Sequence, residues 1–392
     1  MDIMEISPVF VVGEKLQSDM KNGILFIIHR LYFDNQAKKG GIDRILEYFE
    51  KNSLVSIIEH PFEKINHPSE FTSVRFKQKH TALFSTPYIW LEEIIINLVW
   101  VLRSGQTYSL IVASDPLNFL SSFILKMLRR TKKIQFHSTD YSKPRFSQVY
   151  LEFIYQLLYR FALNKADLVT CVSDRMLQNA RNLLGTARTD HCILLPNSPN
   201  YSDMPRFTSS SKNKYTISLM IGRWGNQLDE NLLIKAIEIV AKSYPKIKIH
   251  IIGEVADTYR TIFKKNNVSR FVKFYGILPY RKALKIMSKS YIGITIYKPK
   301  ESYLAFADSI KIREYAAAGV PSVCDTVYGN AKEAQDVNAA LIYKNPSEMA
   351  QHIVQLITDS KLYSSMRLSS LRWAKKNDKE NMLRSIYNTH YA

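Results

Sequence analysis

Residues 303–325, YLAFADSIKIREYAAAGVPSVCD, decide how this chain is read. They predict a loop, a helix opening at Asp308 or Ser309, a stop at Gly319 and a short buried strand over 321–324. Asp and Ser are good helix N-caps, and glycine suits the left-handed residue that ends a helix. Lys311, Glu314 and Tyr315 then fall in the first two turns, near the positive end of the helix dipole. A lysine there strengthens a natural anion site, one suited to a diphosphate. Glu314, one turn further on, is placed to accept hydrogen bonds from ribose hydroxyls. Standing alone, the same residues describe a surface helix with a Lys/Glu pair at i,i+3. The rest of the chain has to decide between the two.

Working outward, apolar β-branched runs alternate with amphipathic stretches along both halves. Upstream, strands are expected at 24–28, 54–58, 109–113, 133–137, 167–172 and 192–195. Helices are expected after Gly40-Gly41 and over 88–102, 117–130, 147–164 and 174–184. Residues 196–214, PNSPNYSDMPRFTSSSKNK, have the Pro/Ser/Asn density of an interdomain linker. The alternation restarts with strands at 216–221, 248–252, 272–275, 291–296 and 339–343. Helices at 229–243, 257–265 and 280–289 separate them, and a helical tail in at least two pieces runs from Pro346. Such alternation means a parallel sheet with helices on both faces, here twice over. The fold class expected is α/β: two doubly wound Rossmann-like domains facing a central cleft. Ligands of such sheets bind beyond the strands' carboxyl ends.

The 392 residues exceed one ordinary core, and 46% hydrophobic with 12% aromatic content excludes a disordered chain. A net charge of +19, from 54 Lys and Arg against 35 Asp and Glu, calls for an anionic partner. The basic residues are spread through both halves, which fits a membrane surface or phosphorylated substrates at least as well as nucleic acid. No interleaved aromatic and basic motif of the single-strand binders is present, so nucleic acid is not expected as a partner. Cys171, Cys192 and Cys324 form no close pair; they read as buried reduced thiols of a cytoplasmic protein. Residues 1–22 read as a ragged leader and a poor signal peptide. The longest apolar run, 89–102, is cut by Glu92, Glu93 and Asn97.

In the C-terminal half the candidate polar residues all follow strands. Arg223 and Trp224 lie in IGRWGN, Tyr280 closes GILPY, and Tyr297 follows 291–296. With Asp308, Ser309, Lys311 and Glu314 they supply cations for phosphates, aromatics for a base and carboxylates for hydroxyls. That is the inventory of a nucleotide-sugar site. In the N-terminal half, the loop FHSTDYSKPRF brings His137 and Asp140 to a strand end, where a carboxylate could take the proton of an acceptor hydroxyl. An N-cap or turn aspartate ahead of Pro144 is the plainer alternative. Lys38, Lys39 and the Gly40-Gly41 turn could hold an anionic acceptor at a helix N-terminus. Two helices, near 82–102 and 146–163, mix aromatic, aliphatic and basic residues and either dock on a membrane or pack internally.

The run from Arg223 to about Glu348, with YGILPY and DSIKIREYAAAGVPSVCD, resembles the donor domain of GT-B glycosyltransferases. Within them it is most similar to the GumK type, the membrane-associated β-glucuronosyltransferases of the xanthan pathway. The resemblance is thinner in the N-terminal half, where it rests on the FHSTD loop and ADLVTCVSDRM. It implies Asp140 as general base and Lys311 as the main charge on the leaving group. Ser309, Lys311 and Glu314 would hold the diphosphate and nucleotide; Trp224, Tyr280 and Tyr297 would line the pocket. Glu314 stands where the GumK type has an amide, and matches broader GT-B families in which a glutamate binds ribose. Those families carry an acid eight positions earlier; here that position is Phe306.

The expectation is therefore an inverting glycosyltransferase of bacterial surface polysaccharide synthesis. It would use a UDP-sugar donor, glucuronate being the sugar suggested, and a lipid-linked or polysaccharide acceptor. No cofactor or metal is expected, and its place is peripheral on the inner face of the cell membrane. Residues 1–198 would bind acceptor and 199–376 donor, with 377–392 a helix crossing back to the first domain. A retaining GT-B transferase, a sugar-nucleotide epimerase and a non-catalytic binder of nucleic acid or anionic polysaccharide remain the alternatives.

Overall fold

Apolar runs of five to seven residues in this chain become buried strands, most of them followed by a helix that covers the sheet. The computed structural model describes residues 23–33, 36–37, 40–62, 67–185, 188–222, 228–298 and 302–391. In the first half, β1 (Ile24–Arg30) leads through the small antiparallel pair β2 (Tyr32–Phe33) and β3 (Gln36–Ala37) to α1 (Gly41–Glu50). There follow β4 (Val55–Pro61), β5 (Ser69–Thr72), β6 (Lys77–His80), α2 (Tyr88–Ser104), β7 (Tyr108–Ala113) and α3 (Pro116–Met127). β8 (Thr131–Ser138), α4 (Val149–Lys165), β9 (Leu168–Cys171), α5 (Asp174–Leu184) and β10 (Cys192–Leu194) complete it. The sheet order is β10-β9-β8-β7-β1-β4-β5-β6, parallel except for the antiparallel β4-β5-β6 edge. That edge is absent from the sequence reading, because KQKH in β6 is almost wholly exposed and shows no apolar alternation.

The second half contains β11 (Asn213–Gly222), α6 (Glu230–Ser243), β12 (Lys248–Gly253), α7 (Asp257–Lys265), β13 (Val272–Phe274), α8 (Tyr280–Lys289) and β14 (Ser290–Ile294). Then come α9 (Ile310–Ala317), β15 (Ser322–Cys324), α10 (Gly329–Asp336), β16 (Ala340–Ile342), α11 (Pro346–Thr358), α12 (Ser360–Lys376) and α13 (Lys379–Tyr391). Its six strands run in the order β13-β12-β11-β14-β15-β16, all parallel. The reading of the decisive stretch holds. α9 begins after Ser309 and ends at Gly319, whose φ of +60° is the left-handed stop expected. Tyr315 locks α9 onto the sheet, its hydroxyl donating to the carbonyls of Ser218 (3.0 Å) and Ile294 (3.2 Å). α3 ends three residues short of its expected limit, since Arg129 takes a φ of +58°. α10, short and polar, is a helix the sequence reading did not include. The three cysteines are buried and free.

The last helix, α13, leaves the second sheet and packs on the first. Leu383 and Tyr387 join the core formed by Ile24, Phe26, Phe49 and Leu110. Tyr387 is fully buried, lies 4.5 Å from the Phe49 ring, and donates its hydroxyl to Gln135 Oε1 at 2.9 Å. We expect Tyr387→Ala to cost about 3–5 kcal/mol in urea unfolding, and Tyr387→Phe about 1 kcal/mol for the lost hydrogen bond. An unchanged midpoint for Tyr387→Ala would mean that the helix contributes nothing to the first core.

Candidate active site

The two sheets present their carboxyl ends to one another, and side chains from both halves join the edges. Phe306, in the loop before α9, sets its ring edge-on to Tyr141 at 5.1 Å. Ser173, just past β9, donates its hydroxyl to the Phe306 carbonyl. Arg44, on α1, donates Nη2 to Glu314 Oε1 at 3.3 Å and to the Tyr280 hydroxyl at 3.0 Å. Phe306, standing where an acid was looked for, is thus an apolar contact with the facing domain.

On the donor side, α9 is aimed by Asn330, which receives the Ser309 backbone N–H and donates to the Ser309 carbonyl, both at 3.0 Å. Lys311 in the first turn is partly exposed, its Nζ 5.6 Å from the centre of the Tyr297 ring. Tyr297 itself is buried and packs edge-on against Tyr328 at 4.6 Å. Glu314 is 1% exposed and hydrogen-bonded to the Tyr280 hydroxyl. Burial raises its carboxyl pKa, an effect that Arg44, Tyr280 and Lys311 oppose. Asp325, at the end of β15, is pushed up by burial to about 6, although the Val327 N–H bonds it at 2.8 Å. Lys311, Glu314, Tyr280, Tyr297 and Ser309 are therefore neighbours at one sheet edge. Arg223 and Trp224 lie outside the described residues.

Asp308 occupies a different position from the donor ligand expected. Its side chain is fully buried; both oxygens accept from Arg313 Nε at 2.8 Å, and Oδ2 also accepts the Asn197 N–H at 2.7 Å. Arg313 continues to Glu333 at 2.8 Å. No oxygen is left facing the cleft, and the group ties the donor helix to the interdomain segment instead. Gly40 and Gly41 depart from expectation in a similar way. The Gly40 N–H is taken by Asp43, and a side chain at Gly41 would start 1.8 Å from Asn197 Oδ1. Gly41 is small so that the interdomain segment can pass, and the helix N-terminus is capped from within. Lys38 and Lys39 lie outside the described residues. His137 was expected to touch an acceptor, but it is still inside the β8 ladder, fully buried and bonded to Thr170 Oγ1 at 2.8 Å. Burial lowers its pKa to about 3, leaving it neutral.

Asp140 does reach the cleft. Its carboxylate is 41% exposed and paired with Arg145 at 3.0 Å, and the Arg145 guanidinium lies over the Tyr155 ring. Beside it is a cluster that sequence reasoning missed. His29, the penultimate residue of β1, has Nδ1 2.8 Å from Asp115 and Nε2 3.0 Å from Glu93. Burial alone would lower the pKa of His29, but the two carboxylates outweigh it and hold the imidazole at about 10, cationic. Asp115 also caps α3 through the Leu117 and Asn118 N–H groups. The signal was available, because His29 and Asp115 lie at the carboxyl ends of their strands, as Asp140 does. Glu93 had registered only as an interruption of an apolar run. Among the described residues no group of three or more His, Cys, Asp or Glu side chains is placed to hold a metal ion.

α2 and α4 both pack on α3 and turn apolar stripes outward: Tyr88, Leu91 and Ile95 on one, Val149, Phe153 and Leu157 on the other. Trp90 and Phe146, 5.2 Å apart, join the two at their starts. Among the described residues no helix is long and apolar enough to cross a membrane.

Residues 203–371 match the family model described as glycosyl transferases group 1. No curated protein matches the sequence. Among solved structures, HepE of Anabaena in complex with UDP superposes with a TM-score of 0.66 at 14% identity, covering 94% of this chain and 99% of that one. Sucrose-phosphate synthase of Thermosynechococcus elongatus gives 0.68 at 13%, covering 94% and 98%. WaaG, a glycosyltransferase involved in lipopolysaccharide biosynthesis, gives 0.65 at 13%, covering 94% and 100%. At such identities the likeness carries the fold, which is GT-B. With a glycosyltransferase group 1 domain forming its second half, the protein is a transferase enzyme, a glycosyltransferase.

Proposed function

We propose that this glycosyltransferase moves a sugar from a UDP-sugar to a hydroxyl of a lipid-linked or polysaccharide acceptor, with inversion and without a metal ion. The observation that carries it is the α9 edge: a helix N-terminus with Lys311 and Glu314 in its first turns, facing a domain whose Asp140 lies open to the cleft. Glu314 accepts the ribose hydroxyls, and Lys311 with the helix dipole stabilises the departing diphosphate, helped by Arg223. Two structural neighbours, HepE (once also with glucose) and a TarM variant, were determined with UDP, which supports the choice of nucleotide. Asp140 takes the acceptor proton as the hydroxyl attacks the sugar carbon, Arg145 holding the carboxylate in place. In this scheme residues 1–198 bind the acceptor, 199–376 bind the donor, and 377–392 form the crossover helix.

Glucuronate is the donor sugar suggested by the GumK resemblance, and bacterial surface polysaccharide the product class. The apolar stripes of α2 and α4, with the net charge of +19, favour docking on an anionic inner membrane face where a lipid-linked acceptor would be held. Glu314, where the GumK type has an amide, favours one competing reading, a retaining transferase that needs no such base.

Turnover separates these readings. Asp140→Asn should lose about 10²–10⁴-fold in rate with UDP affinity intact, and Lys311→Ala about 10²–10³-fold with weaker UDP binding. A near wild-type rate for Asp140→Asn, with a product of retained anomeric configuration, would establish the retaining reading. Vesicle sedimentation tests the docking. The protein should pellet with vesicles rich in anionic phospholipid, and the Leu91→Glu, Phe153→Glu double variant should stay in solution. Equal pelleting of both would remove these helices from the interface.

A further inference from the structure

The carboxylate proposed for the ribose is not held by its own domain alone. Of the groups facing Glu314, Tyr280 on α8 and Lys311 on α9 belong to the donor half, but Arg44 arrives from α1, 270 residues away in sequence. Its Nη2 donates to Glu314 Oε1 and to the Tyr280 hydroxyl, and Tyr280 donates in turn to the same Oε1. Oε1 is thus filled by protein donors, while among the described residues none reaches Oε2. A carboxylate oxygen accepts two hydrogen bonds, the number a ribose diol offers.

Arg44 is itself built into position. Its Nη1 donates to the Asn197 carbonyl at 3.0 Å, and only 14% of its side chain is exposed. Asn197 in turn packs against Gly41 and gives its N–H to Asp308. The guanidinium therefore has a fixed place only while α1, the interdomain segment and α9 keep this arrangement.

We propose that Arg44 is a donor-positioning residue supplied across the cleft: by occupying Oε1 it orients Glu314 so that Oε2 meets the ribose of a nucleoside diphosphate, and it makes donor affinity depend on closure of the two domains. The proposal rests on the reading of Glu314 as the ribose ligand. Because Arg44 acts through that carboxylate, its loss affects a nucleoside as much as a nucleoside diphosphate. A guanidinium acting on the phosphates would spare the nucleoside.

Calorimetric titration of UDP and uridine into the wild type, Arg44→Met, Arg44→Lys, Glu314→Gln and the Arg44→Met, Glu314→Gln double variant tests it, with melting of each variant followed alongside. A hydrogen bond to a charged group corresponds to about tenfold in affinity. Arg44→Met and Glu314→Gln should each weaken UDP and uridine by about that factor, and the double variant should bind no more weakly than the poorer single. Arg44→Lys should fall between, since an ammonium keeps the charge but lacks the fixed two-armed fork that meets Asn197 and Glu314; it carries the comparison if Arg44→Met fails to fold. Unchanged or tighter UDP binding by Arg44→Met, multiplying effects in the double variant, or a lower melting temperature with unaltered affinity would each overturn the proposal. If the wild type binds neither UDP nor uridine, the reading of Glu314 fails first and the proposal with it. If the wild type binds and Arg44→Met binds equally, only the role of Arg44 falls.

Discussion

The buried carboxylate of Asp308 is the constraint on which the relation of the two halves depends. Its two oxygens share the single Arg313 Nε–H, each at 2.8 Å, and Oδ2 also accepts the backbone N–H of Asn197 at 2.7 Å. Arg313 passes the charge on to Glu333 on α10. Next to this group Lys379, the first residue of α13, donates to the Pro196 carbonyl at 2.9 Å while wholly buried. Burial, with the Arg44 charge, pushes its pKa down to about 7, against the pull of Asp308. Four pieces of chain therefore meet at one charged, dehydrated point: the segment leaving the first sheet, α9, α10 and the helix crossing back. Buried charges depend on their partners, so these bonds define the geometry of the meeting, with Arg313 Nη1 the one guanidinium nitrogen that has no partner among the described residues.

That definition reaches the cleft directly. Asn197 is gripped by Asp308 on one side and passes Gly41 on the other, while its carbonyl holds Arg44. The same few bonds that orient the domains also set the start of α9, where Lys311 and Glu314 stand. In the facing domain, His29 with Glu93 and Asp115, and Asp140 with Arg145, form a wall of paired charges at the ends of β1, β7 and β8. The cleft is thus polar on both faces, whereas the outer surfaces of α2 and α4 are apolar.

Most of the fold was legible because buried parallel strands appear as apolar runs and their covering helices as amphipathic ones. What escaped carried no such pattern: the exposed β6 edge, and α10, whose short sequence GNAKEAQD gives little periodicity. The placement of Lys311 and Glu314 could be read because both lie on one helix near its N-terminus. Arg44 could not, since its meaning comes only from a contact 270 residues away. Asp308 looked like a ligand because an Asp-Ser pair before a helix suits capping or anion binding equally; Arg313, its actual partner, lies five residues on. His137 was misjudged by one register position, as the β8 ladder extends to Ser138.

The central claim is that the α9 edge grips a uridine nucleotide. The direct measurement is a thermal-shift panel of UDP, GDP and their common sugars on the purified protein. A ligand that binds only the folded state stabilises it by about 2.7 kcal/mol at a hundredfold excess over its Kd. UDP and at least one UDP-sugar should raise the melting temperature while GDP leaves it unmoved. A shift with GDP and none with UDP, or no shift with any nucleotide, would contradict the account.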